Sequence, residues 1–129
     1  MKLTSTHYTI FFIIIIVGGL VASQVWGKST TSGILDEFAQ CISDSNAKFY
    51  GAFWCPHCND QKALFGSSVK LLPYVECSTS DGKGQVQECT DAGITGYPTW
   101  EFADGTREGG LISLEDLAEK TGCKLPEND

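Results

Sequence analysis

The fold of this 129-residue chain is decided by residues 49–58, which read FYGAFWCPHC. Their first half continues an apolar, aromatic-rich run that begins at Ala47, and such a run predicts a buried strand reaching Trp54. Pro56 suits the first turn of a helix, because its fixed φ matches helical geometry there. We therefore predict a helix over residues 56–64, with Cys55 at the junction between strand and helix.

The Cys-x-x-Cys pair formed by Cys55 and Cys58 is the candidate catalytic centre. The unpaired N–H groups and the dipole of a helix N-terminus favour a thiolate at Cys55, and a protonated His57 would add positive charge. We expect Cys55 to attack or be attacked, and Cys58 to resolve the mixed disulfide. Stabilising the thiolate makes the disulfide a stronger oxidant, so the Pro56-His57 dipeptide favours disulfide donation over reduction or isomerisation.

The rest of the pattern predicts an α/β domain with helices on both faces of a small sheet. A pair of strands joined by the crossover helix should be parallel. A hairpin should follow at Asp104-Gly105, and a capping box at Ser113 should open a last helix that ends near Gly122. The remaining predicted elements are a helix over residues 34–43, a strand over 73–77, a helix over 85–92, and strands over 99–102 and 106–108.

An uncharged, mostly apolar segment over residues 8–26 follows a short tail, residues 1–7. Nineteen residues of helix span about 28 Å, which is close to the thickness of the hydrocarbon core. We therefore expect a single transmembrane anchor; a cleaved signal peptide is the alternative. A polar linker, residues 27–33, then leads to the folded domain, residues 34–126, and a tail, residues 127–129. Both interpretations place the domain outside the cytoplasm, either as a single-pass membrane protein or as a secreted one.

The charge of the chain excludes one class of partner. The formal net charge is −7, and no cluster of Lys or Arg occurs in the sequence. Binding of nucleic acid requires a basic face, so we expect no nucleic-acid partner.

The motif and its surroundings resemble the thioredoxin superfamily, and Pro56-His57 is similar to the dipeptide of the bacterial dithiol oxidase DsbA. The resemblance is strongest to the thioredoxin-like domain fused to vitamin K epoxide reductase homologues. Beyond the Cys-x-x-Cys motif it is carried by YVEC at residues 74–77, GITGYPTWE at 93–101 and LEDLA at 114–118. It implies a thioredoxin-like fold, protein substrates that contain cysteine, and a separate membrane partner, such as a vitamin K epoxide reductase homologue, that reoxidises the pair.

The resemblance also implies roles for residues outside the motif. Pro98 is expected to be cis and to face the cysteine pair, which leaves the backbone of Tyr97 free to pair with an extended substrate. We expect Trp54 at the rim of the same substrate-binding surface. Many superfamily members carry a buried acid six residues before the first active-site cysteine, where this chain has Phe49. The proton acceptor for Cys58 must therefore lie elsewhere, and the candidates are Glu76, Glu101 or water.

Four further cysteines complete an even set of six, which is typical of an oxidising compartment. Cys77 and Cys89 flank a polar loop and can form either a structural disulfide or a relay pair that exchanges with the active site. Cys41 and Cys123 form a possible second disulfide if the first and last helices approach. A metal-handling role for the motif is a less favoured alternative, and we expect neither a bound metal nor a cofactor.

Overall fold

The structure is a computed structural model, and it describes residues 33–127. The expected anchor or signal peptide, residues 8–26, lies outside these residues, as do the N-terminal tail and most of the linker. Within residues 33–127, no helix has both the length and the apolar character needed to cross a bilayer. The helices are α1 (Asp36–Asp44), α2 (Pro56–Ala63), a 3-10 helix (Gly66–Leu71), α3 (Gln87–Asp91) and α4 (Leu114–Thr121).

The four strands form one mixed sheet in the order β2-β1-β3-β4. Their bounds are β1 (Lys48–Gly51), β2 (Tyr74–Glu76), β3 (Thr99–Glu101) and β4 (Arg107–Gly109). The first two strands are parallel, as expected for a pair joined by a crossover helix, and the other two pairs are antiparallel. A four-stranded mixed sheet flanked by helices fits the thioredoxin-like fold that the resemblance implied.

Alternation along β1 divides the core between the two faces of the sheet. Phe49 is fully buried and stacks on Trp100, its cross-strand partner, with ring centroids 4.7 Å apart. The cluster around this pair takes in buried side chains of α1, α2 and α4. Tyr50, which points to the opposite face, packs in a second cluster with Cys89 of α3. Helices therefore cover both faces, as the sequence predicts.

Local signals fix the ends of the hairpin and of the last helix. Gly105 has a φ of +81° in the turn between β3 and β4, a conformation in which glycine is not strained. The hydroxyl of Ser113 accepts a hydrogen bond from the backbone N–H of Asp116 and so caps α4. At the other end, Gly122 stops the helix with a φ of +71°.

Two features differ from the sequence predictions. The strand expected to reach Trp54 ends at Gly51, because the chain turns there and the N–H of Cys55 bonds to the carbonyl oxygen of Ala52. The 3-10 helix Gly66–Leu71 was not predicted, since its sequence, GSSVKL, has no helical periodicity. The other elements lie within about two residues of their expected bounds, which is the usual uncertainty at element ends.

Candidate redox site

Cys55 occupies the N-cap of α2, with Pro56 in the first helical position. The backbone N–H of Cys58 points at Sγ of Cys55 from 3.4 Å, so one of the unpaired amides of the helix end faces the sulfur. Cys55 is buried but retains 5% of its accessible surface, whereas Cys58 retains none. This placement favours a reactive sulfur, because the helix N-terminus stabilises negative charge.

Cys58 lies one turn deeper and has no solvent exposure. Burial, followed by its hydrogen bond with Cys55, raises the pKa of the Cys58 thiol from 9.0 to about 12. Both cysteines are thiols in this structure. The two sulfurs thus occupy different environments: that of Cys55 caps the helix end in a residue with a little remaining exposure, and that of Cys58 lies in a fully buried residue. This asymmetry suits one attacking and one resolving cysteine.

The Tyr97–Pro98 peptide bond is cis, as the resemblance implied, and Pro98 is fully buried. The carbonyl oxygen of Tyr97 accepts a long hydrogen bond, 3.7 Å, from the thiol of Cys55. The structure therefore brings the loop before β3 against the sulfur of Cys55. A substrate segment bound beside Tyr97 would lie next to Cys55.

His57 is on the exposed side of the first turn of α2. Its Nδ1 lies 3.8 Å from a carboxylate oxygen of Asp60, and both side chains are mostly exposed. Within the described residues, the structure records no hydrogen bond between His57 and Cys55. Any influence of the imidazole on the sulfur is therefore exerted through space, as a charge in solvent.

Trp54, which precedes Cys55 in the chain, is half-exposed. Its Nε1 donates to Oγ of Ser78 at 2.8 Å, and its ring meets that of Tyr97 edge-on with centroids 6.0 Å apart. The hydroxyl of Tyr97 in turn accepts a 2.6 Å hydrogen bond from Gln85. With the half-exposed Phe53 beside it, Trp54 forms an apolar surface of fixed orientation next to Cys55.

The two carboxylates considered as proton acceptors occupy different parts of the molecule. Glu101 pairs with Lys48 at the far end of β1 and forms a 2.7 Å hydrogen bond with Arg107. Glu76 pairs with Gly51, the last residue of β1 before the active-site turn, and accepts a hydrogen bond from Tyr74. Of these two carboxylates, Glu76 therefore lies at the end of β1 that leads to Cys55, and Glu101 lies at the opposite end.

The structure contains the Cys77–Cys89 disulfide and also Cys41–Cys123, the pair that the sequence left as a possible second disulfide. Cys77–Cys89 links the end of β2 to α3, and both residues are fully buried. Cys41–Cys123 links α1 to the segment after α4, and Cys41 is exposed. Because neither sulfur of the first pair reaches the surface, the geometry favours a structural role for Cys77–Cys89 over that of a relay pair.

The described residues contain no group of three or more His, Cys, Asp or Glu side chains that could hold a metal ion. Cys55, Cys58 and His57 do not form such a group, because His57 lies on the exposed side of the helix. The arrangement of donors in residues 33–127 thus offers no support for the metal-handling alternative.

Sequence reasoning missed two residues that shape the site. Gln61 of α2 is fully buried and bonds through its amide to the backbone of Ile112, 51 residues away. Tyr74 borders the same space beside Gly51 as Cys58, a position that neither its strand nor the YVEC stretch predicted. No local pattern marks either residue, since their partners become neighbours only in the folded chain.

No protein-family model matches the chain. The chain is similar to the thiol-disulfide oxidoreductase LTO1 of Arabidopsis thaliana. The two are 41% identical over 102 residues, which is 76% of this chain but only 27% of the plant protein. This chain thus matches about a quarter of its relative's length. The similarity suggests a thioredoxin-like protein and supports thiol–disulfide oxidoreductase activity.

Proposed function

We propose that this protein exchanges disulfides with cysteine-containing proteins through Cys55 and Cys58, and that it acts mainly as a disulfide donor. The observation that carries the proposal is the position of the Cys55 sulfur. It lies at the N-cap of α2, against the carbonyl of Tyr97, with Cys58 buried behind it.

In the donating direction, a substrate thiolate attacks Sγ of Cys55 in the oxidised pair. The Cys55–Cys58 bond breaks, a mixed disulfide forms, and Cys58 leaves as a thiolate that takes up a proton. A second substrate thiolate then attacks the substrate sulfur of the mixed disulfide and releases Cys55 as a thiolate. The substrate dithiol is oxidised to a disulfide, and the protein disulfide is reduced to two thiols.

The position of Cys55 supports donation over reduction. A sulfur at a helix N-terminus is a good leaving group, and stabilisation of its anion stabilises the reduced protein. Reduction or isomerisation in the same compartment is the second candidate. A reduction potential near the oxidising end of the thioredoxin-like range, about −120 mV, supports donation, whereas one near −270 mV supports reduction.

We further propose that residues 8–26 anchor the protein in a membrane, with the redox domain on the extracytoplasmic side. Two disulfides within the described residues are in keeping with an oxidising compartment. A separate membrane protein, such as a vitamin K epoxide reductase homologue, would reoxidise the pair. Protease protection of the domain in sealed membrane vesicles tests the orientation, and N-terminal sequencing of the mature protein tests cleavage.

The experiment that tests the exchange activity is trapping of substrates. Cys58→Ala removes the resolving thiol, so mixed disulfides between Cys55 and substrates should accumulate and migrate as adducts on non-reducing gels. Cys55→Ala is the matched control and should give none. Absence of adducts from the Cys58→Ala protein, in cells that make it, would overturn the proposal.

A further inference from the structure

The buried thiol of Cys58 must exchange a proton each time the pair cycles, yet among residues 33–127 the only side chain that forms a hydrogen bond with it is that of Cys55. We propose that Tyr74 and Glu76 form the proton path to Cys58, with Glu76 as the terminal carboxylate. This inference rests on the proposed thiol–disulfide exchange and names the groups that serve its resolving cysteine.

The first link of the path is the space beside Gly51, which the thiol of Cys58 and the hydroxyl of Tyr74 both border. A Cβ atom placed on Gly51 would lie 3.1 Å from Sγ of Cys58 and 3.4 Å from the hydroxyl oxygen of Tyr74. The same atom would come within 2.8 Å of the Tyr74 ring. The thiol and the hydroxyl therefore border one small space, which stays open only because residue 51 has no side chain.

The second link is a direct hydrogen bond. The hydroxyl of Tyr74 donates to Oε2 of Glu76 at 2.8 Å. The other carboxylate oxygen, Oε1, accepts from the backbone N–H groups of Ser78 at 2.9 Å and Phe53 at 3.2 Å. Three donors thus hold the carboxylate in one orientation, with one oxygen facing Tyr74 and therefore the active site.

The charges around Tyr74 suit a relay. Nζ of Lys62 lies 3.5 Å from the centroid of its ring, and Glu76 is the acidic group that accepts the hydrogen bond of its hydroxyl. Burial and the hydrogen bond to Glu76 raise the pKa of Tyr74 above its ordinary value. Tyr74 therefore keeps its own proton at neutral pH and can only pass protons on.

The transfer conserves protons and electrons. When Cys58 must attack, its S–H proton moves to the hydroxyl oxygen of Tyr74, while the original hydroxyl proton moves to Oε2 of Glu76. The Cys58 thiolate then attacks Sγ of Cys55 in the mixed disulfide and displaces the substrate thiolate. When Cys58 leaves a disulfide instead, the same protons move in the opposite direction and Glu76 ends as a carboxylate.

Other carboxylates near the sheet do not fit this role. Glu101 is held by Arg107 at the opposite end of β1. Asp60 is on α2, but its side chain is exposed and faces His57. Phe49, which occupies the position of the acid found in many thioredoxin-like proteins, is packed between Tyr74 and Trp100 and has no proton to offer.

The test uses the full chain in detergent, reduced selectively at Cys55 and Cys58 and then mixed with oxidised glutathione. Cys55 attacks first, and Cys58 then resolves the protein–glutathione adduct; acid quenching and mass spectrometry follow both steps. Glu76→Gln keeps an oxygen for the two backbone amides but removes the basic carboxylate. Tyr74→Phe removes the relay and keeps the ring. Glu101→Gln is the matched control.

We expect both Glu76→Gln and Tyr74→Phe to slow resolution about 100-fold or more near neutral pH, as is usual for loss of a general acid–base group. The rate at which the glutathione adduct forms should be unchanged in both variants. In Glu101→Gln, both the formation and the resolution of the adduct should proceed at the wild-type rate. The difference in resolution rate between these variants and the wild type should become smaller as the pH rises, because hydroxide can then ionise Cys58 directly. A purely structural effect of the substitutions would not be recovered by raising the pH.

Resolution at the wild-type rate in both variants would overturn the inference, as would a slowing that is the same at every pH. Failure of the proposed function looks different. In that case the wild-type protein and Cys58→Ala would form no adduct at all, and the resolving step would never be reached.

Discussion

Gln61 and Ile112 exchange two hydrogen bonds in the core. Nε2 of Gln61 donates to the carbonyl oxygen of Ile112 at 3.0 Å, and Oε1 accepts from the N–H of Ile112 at 2.8 Å. The amide thus completes the backbone pairing of a segment that belongs to no strand. Because Gln61 is on the helix that begins at Cys55, this pair also fixes that helix against the segment leading to α4.

We predict that Gln61→Ala lowers the free energy of unfolding by about 2–4 kcal/mol, because it leaves a buried N–H and a buried carbonyl without partners. Urea denaturation with the disulfides intact measures the change. Gln40→Ala is the control, since Gln40 is an exposed helical glutamine that bonds only to Asp44, and it should change stability by less than about 0.5 kcal/mol. Equal effects in the two variants would contradict the role of the Gln61–Ile112 pair.

Loss of the N-cap of α4 should lower stability by less than loss of the Gln61–Ile112 pair. Ser113→Ala removes the acceptor for the N–H of Asp116 and should lower the free energy of unfolding by about 1 kcal/mol. Ser80→Ala, in an exposed loop, should leave stability unchanged. Thermal denaturation of the two variants side by side checks the difference, and a Ser113→Ala protein as stable as the wild type would show that the cap contributes nothing.

Much of the fold could be predicted because its signals are local. Pro56 after Cys55 marks a helix start, Asp104-Gly105 marks a turn, and the aromatic-rich run around Phe49 marks a buried strand. Each of these signals depends on the preference of one residue or on a short repeat. They therefore predicted the order and type of the elements, and they failed only where the chain leaves β1 early and forms a 3-10 helix.

The positions of the two sulfurs could be predicted from the sequence, but the side chains that surround them could not. The Cys-x-x-Cys spacing places Cys55 and Cys58 on one helical turn whatever the rest of the chain does. By contrast, Tyr74 borders the space next to Cys58 only because β2 pairs with β1 in one register, Tyr50 opposite Val75. A shift of that register by one residue would move Tyr74 to the other face. Contacts of this kind depend on strand register, which the sequence pattern does not specify.

The two disulfides should differ in both stability and accessibility. In the chain-entropy model, the Cys77–Cys89 loop, with a sequence separation of 12, contributes about 3 kcal/mol; Cys41–Cys123, with a separation of 82, contributes about 4.5 kcal/mol. We expect the Cys41→Ala/Cys123→Ala variant to lose more stability than the Cys77→Ala/Cys89→Ala variant. Dithiothreitol should nevertheless open Cys41–Cys123 first, because Cys41 is exposed and the other pair is buried.

Thiol counting by mass spectrometry at increasing dithiothreitol measures the order of opening. The Cys77→Ala/Cys89→Ala protein should still exchange disulfides through Cys55 if it remains folded. Loss of exchange in a variant that stays folded would instead support the relay role.

The pH dependence of Cys58 provides a direct check on its burial. Its thiol pKa is raised from 9.0 to about 12, chiefly by burial, so the folded chain keeps the proton over a range in which the unfolded chain loses it. Its contribution to stability is therefore complete below about pH 9 and is lost as the pH rises towards 12. We predict that alkylation of Cys58 by iodoacetamide in the folded, reduced protein stays slow up to about pH 10, whereas the urea-unfolded chain reacts with a midpoint near its ordinary pKa. A folded-state midpoint equal to that of the unfolded chain would mean that Cys58 is open to solvent, which would contradict its burial in the structure.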